Sequence, residues 1–62
     1  MTEKQMMFRA EQAEQLEQRY TELESEREQA GLYEEALEAR RMRHEQAAAA
    51  IYWRSRAEGA TP

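Results

Sequence analysis

The chain has 62 residues, nine Lys and Arg against 13 acidic residues, a net charge of −4 and no cysteine. That length suffices for one domain, read here as 1–62. The missing cysteines exclude a disulfide framework, and with a single His they also exclude the common zinc sites. A core of this size contributes only about 3–5 kcal/mol unless something staples it, which leaves oligomerisation as the remaining device. No apolar run approaches the roughly 18 residues of a membrane span, and MTEKQMMF does not have the pattern of a secretory signal. A cytoplasmic setting is the expectation.

Glu, Gln, Ala, Arg, Leu and Met dominate, Val is absent and Ile occurs once, so the composition favours helix throughout. The first helix is expected over about 3–30. It opens on Thr2-Glu3-Lys4-Gln5, the spacing of a capping box. Met6, Ala13, Leu16, Tyr20, Leu23 and Ala30 follow a 3–4 rhythm, interrupted by Arg9 and Arg27, and read as its buried seam. Glu24 falls on the outer face of this assignment, where a change to Gln is expected to be nearly neutral.

Gly31 is the position at which the chain most cheaply leaves one helix and enters another, because it lacks the β-carbon that penalises turn conformations. The second helix is expected over about 32–58. Tyr33, Leu37, Arg40, His44, Ala47 and Ile51 keep the same rhythm, with Ala36, Ala48 and Tyr52 widening the stripe. Folding back at Gly31 sets Leu23 opposite Leu37 and Ala39, and Leu16 opposite Ala47. Met6, Met7 and Phe8 then approach Tyr52 and Trp53 at the open end. On this register a carboxylate at Leu16 or Leu37 is expected to unfold the chain. One continuous helix through Gly31 is the alternative.

Charge favours the hairpin. Residues 11–28 carry seven Glu against Arg19 and Arg27, whereas residues 40–56 carry five Arg against Glu45. Antiparallel helices lay much of the acidic stretch beside the basic one. Glu34, Glu35 and Glu38 early in the second helix, and Arg54 and Arg56 late, also suit its dipole.

Catalysis needs a positioned base, nucleophile or metal in a concave site. His44 is the single His, the serines are Ser25 and Ser55, and no nucleophile motif or Glu-x-x-His spacing occurs. The expectation is no enzyme, no cofactor, no metal and no small-molecule substrate. Arg40, Arg41 and Arg43 with nearby aromatics form a candidate nucleic-acid contact, opposed by the acidic net charge. Ile51, Tyr52 and Trp53 are consecutive and cannot all face one partner helix. Tyr52, Trp53, Arg54 and Arg56, of residue types enriched at binding hot spots, are the candidate partner-binding set.

Gly31-Leu32-Tyr33-Glu34-Glu35-Ala36-Leu37 resembles the G-x-Y-x-E-A-[IL] segment that opens the second helix of a tetratricopeptide motif. Only one repeat's worth of chain is present, where stacking needs about three. In size the chain is similar to the small bacterial regulators of the ANR and PerC-like families. Those carry an A-x-x-L-E-x-x-G-x-Y-x-x-A-A pattern, then a Trp and an R-A motif. The corresponding residues are Gly31, Tyr33, Ala36, Leu37, Trp53, Arg56 and Ala57, with Arg40 standing where those families tend to have a Trp. The resemblance implies control of transcription by contact with an AraC-type activator.

The reading is therefore an all-α, two-helix antiparallel hairpin that dimerises into a four-helix bundle and binds another protein. Its core and self-association residues are Met6, Phe8, Ala13, Leu16, Tyr20, Leu23, Tyr33, Leu37, Ala47 and Ile51. The alternatives are a nucleic-acid binder using the Arg-rich face of the second helix, and a purely structural assembly module.

Overall fold

A computed structural model describes residues 1–59; residues 60–62, the end of the domain extent read from the sequence, lie outside the described residues. Two helices make up the described residues, α1 (Glu3–Gln29) and α2 (Tyr33–Gly59). They lie side by side along a body of 49 × 13 × 13 Å.

The ends of α1 follow from local chemistry. Thr2 accepts the Gln5 backbone N–H at 3.1 Å, and the Gln5 side chain accepts the Thr2 N–H at 2.9 Å. Two donors that the helix leaves unpaired are thereby satisfied. At the other end Gly31 takes φ +79°, the Leu32 N–H donates to the Arg27 carbonyl and the Gly31 N–H to that of Glu28. This pair of bonds is a Schellman closure, which needs a left-handed residue at Gly31. α2 starts less well. The Leu32 carbonyl accepts the first helical bond, from Ala36, so Leu32 occupies the cap position without a side-chain acceptor.

Burial identifies the seam between the helices. In α1, Met6, Ala10, Ala13 and Glu24 are buried, with Glu17, Tyr20 and Arg27 half-buried between them. In α2 the set is Ala36, Ala39, Ala50 and Ala57, with Arg43, Gln46 and Trp53 half-buried. Both sets step by three and four residues without a break, the signature of a heptad seam. Glu24 reaches Arg40 and Arg43, Arg27 donates to the Glu35 carbonyl and Arg9 covers Trp53. The pairings of Arg27 with Glu35 and of Arg9 with Trp53 fit the fold-back at Gly31 expected above.

Several expected core residues are not in this seam. Phe8, Leu16, Tyr33, Leu37 and Ile51 are exposed in the hairpin, and so is His44; Leu23 and Ala47 are half-buried at its flanks. Met6, Ala13 and Tyr20 are on it. The reason is steric. Alanine side chains along the seam let the two backbones approach more closely than larger side chains would allow. Leucine or tyrosine at those positions would hold the helices apart and separate Glu24 from its two arginines.

Candidate protein-binding surface

Phe8, Tyr52 and Trp53 lie toward the open end of the hairpin. The Tyr52 and Trp53 rings meet edge to face, 5.0 Å apart at 77°. The Arg9 guanidinium lies 5.2 Å from the Trp53 ring centre, and that of Arg56 lies 5.5 Å from the Tyr52 ring centre. Arginine on an aromatic face is attracted to the ring quadrupole. Arg54 is ion-paired with Glu14 across the helices. An open cleft of about 650 Å³ lies here, bounded by Met1, Met6, Tyr52, Trp53, Arg56 and Gly59.

The four residues expected to bind a partner thus divide. Tyr52 and Arg56 are exposed, with Tyr52 at 52 %. Trp53 is half-buried on the hairpin seam, and the half-buried Arg54 is held by Glu14. Trp53 therefore packs α2 onto α1 besides contributing an edge to the cleft.

The arginine cluster divides too. Arg40 donates to Glu24 at 2.8 Å and lies 3.5 Å from Glu28, while Arg43 donates to the other Glu24 oxygen at 3.0 Å. The Glu24 side chain is only 11 % exposed. The Arg40 hydrogen bond lowers its pKa most, and the charges of Arg43 and Arg40 add to this, against an opposing effect of burial. The same bond raises the Arg40 pKa. Arg41 is exposed and makes no ion pair among the described residues. Of three candidate nucleic-acid contacts, two are already committed to one carboxylate.

Glu24, expected on the outer face, is instead buried on the seam because Arg40 and Arg43 pair its carboxylate, and neither it nor Arg9 is among the expected site residues. Nothing in the spacing of charges separates Glu24 from the other acidic residues of α1. The signal that places it is the alanine frame of the seam, Ala10, Ala13, Ala36, Ala39, Ala50 and Ala57. Among the described residues no group of three or more His, Cys, Asp or Glu is placed to hold a metal ion, and no helix is long and apolar enough to cross a membrane. No family model, curated protein or solved structure matches the chain.

Proposed function

We propose that the chain is a small non-enzymatic protein-binding regulator that associates with itself into four helices and modulates transcription through contact with another protein. One observation carries the binding part. The hairpin buries alanine and Met6, and leaves Phe8, Leu37, Ile51 and Tyr52 each more than half exposed. Apolar surface on this scale in so small a body is characteristic of an interaction site. The transcriptional part rests on the resemblance to the ANR and PerC-like regulators. Against nucleic acid as the direct ligand stand the net charge and the engagement of Arg40, Arg43 and Arg54 with carboxylates.

The test is a reporter driven by an AraC-type activator, with and without the chain. Repression that Tyr52→Ala relieves, in a variant with unchanged circular dichroism, is the expected result. The loss corresponds to about 2 kcal/mol of partner affinity, as for an aromatic hot spot. Trp53→Ala is a poorer probe, because it also removes packing from the seam. Binding of random duplex or RNA at physiological salt, abolished by replacing Arg40, Arg41 and Arg43 together, would overturn this reading in favour of a nucleic-acid binder. An unaltered reporter would leave the structural module.

A further inference from the structure

Two open clefts adjoin at the end of the hairpin away from the turn. One is the cleft beside Tyr52 and Trp53 described above. The other, of about 600 Å³, runs along the first turns of α1, with Lys4, Phe8 and Arg9 in its wall. Met1 borders both. Arg9 joins them a second time, because it lines the α1 cleft while its guanidinium covers Trp53 of the other. One surface therefore runs from Phe8 on α1 to Tyr52 and Arg56 on α2.

Its charge is of one sign. Lys4, Arg9 and Arg56 supply three cations, and no carboxylate lines either cleft, in a chain with 13 acidic residues. Glu3, Glu11 and Glu58, the acids of these segments, line neither. The three cations make no ion pair among the described residues, whereas Arg40, Arg43 and Arg54 each do. Between them lies apolar surface, with Met1, Phe8 and Tyr52 each more than half exposed. The negative excess of the chain is elsewhere. Residues 22–38 carry seven Glu against Arg27, a net of −6. At 1.5 Å per residue that segment is roughly 20–40 Å from the open end, more than two Debye lengths at physiological salt.

We propose that this surface binds an acidic segment of the partner protein, one with a large apolar side chain between its carboxylates. The inference rests on the protein-binding reading above; it names the partner's chemistry and extends the footprint onto α1. A guanidinium held over a ring keeps N–H groups free at its edge, and its planar fork matches a carboxylate. The apolar side chain covers Phe8 and Tyr52, removing their exposed area from water. The rings favour peptide over nucleic acid. Each already has a guanidinium against it, which leaves less ring face for a base to stack on.

Peptide selection and tryptophan fluorescence test this together. A random dodecapeptide library selected against the full chain should enrich Asp and Glu beside Phe, Leu or Trp. Trp53 is the one tryptophan of the chain, so the selected peptide should shift its emission on titration. Lys4→Gln and Arg56→Gln should each weaken binding about tenfold, the loss of one charge-assisted hydrogen bond. Arg19→Gln, the same change of charge at an exposed position of α1 outside both clefts, should leave it unaltered. Enrichment of basic or uncharged peptides, or of none, would overturn the proposal, as would a peptide indifferent to Arg56→Gln. An oligothymidylate that shifts Trp53 emission at physiological salt and displaces the peptide would give the surface to nucleic acid instead. Reporter repression that yields to Tyr52→Ala but survives Lys4→Gln and Arg56→Gln together would overturn the acidic chemistry while sparing the protein-binding reading.

Discussion

Glu24 is the buried charge of the described residues, 8 % exposed overall, and its carboxylate holds two arginines of the other helix. Removing one member of such a set leaves the others without their partner, which is more damaging than the set is stabilising. Its depressed pKa makes a pH prediction. A carboxyl whose folded pKa lies below its unfolded value stabilises the fold fully above the unfolded range, about 4.3 for Glu, and that contribution vanishes as pH falls through the folded value. Glu24→Gln should therefore melt below wild type at neutral pH, with the difference shrinking on acidification below about pH 4. The other glutamates are common to both chains, so the comparison isolates Glu24. Melting curves that stay parallel down to strong acid would refute the clamp. Gly31 gives a second test at this scale. Its φ of +79° has open space around it, so Gly31→Ala meets no clash and should cost about 1–2 kcal/mol through backbone strain alone, read from urea melts.

At the level of the helix, the small side chains decide which face turns inward. Ala39→Leu, in the middle of the seam and next to the clamp, should destabilise by about 1–3 kcal/mol from overpacking. Glu45→Gln, on an exposed position of α2, should stay within about 0.5 kcal/mol. Equal denaturation midpoints for these two variants would mean that the alanine frame is not the contact. This is also where the sequence was only partly legible. The Thr2 box and the turn at Gly31 are local signals, set by hydrogen bonds within a few residues, and both helices end within one residue of expectation. The seam of α2 lies one residue out of frame from the expected stripe because Tyr33, Leu37 and Ile51 outweigh alanine on any scale of apolar content. In α1 the stripe mixed Met6, Ala13 and Tyr20, which are on the seam, with Leu16, Leu23 and Ala30, which are beside it. Hydrophobicity ranks the gain from burial, whereas two helices pair where closest approach and a buried carboxylate are compatible. That compatibility belongs to both helices at once, and neither stripe shows it alone. Leu32 offers a gain at the same scale: Leu32→Asp supplies the missing acceptor at the start of α2 and should raise stability by about 0.5–2 kcal/mol.

For the whole molecule, the question is what holds two 27-residue helices together. Of the seven buried apolar residues among those described, six are alanine, and each buried methyl contributes about 0.8 kcal/mol. Ordering one residue's backbone costs about 1–2 kcal/mol. The interhelical ion pairs are half-exposed at their arginines, and pairs of that kind add about 0–1 kcal/mol each. A lone hairpin on these terms is marginal, and burial of the exposed Leu37, Ile51 and Tyr52 in the proposed self-association would be the largest further source of stability. If the folded state is a dimer, unfolding is linked to dissociation and the melting temperature must depend on chain concentration. A tenfold increase is worth about 1.4 kcal/mol per dimer. Two chains at about 2.1 cal/mol/K per residue have an unfolding entropy near 0.26 kcal/mol/K, so the expected rise is about 5 °C per tenfold. Calorimetry from low to high micromolar chain measures it directly. Leu37→Asp should melt lower and lose the concentration dependence, because its unfolding no longer includes dissociation. A wild-type transition that stays fixed over a hundredfold range would mean that the alanine seam alone sustains the fold.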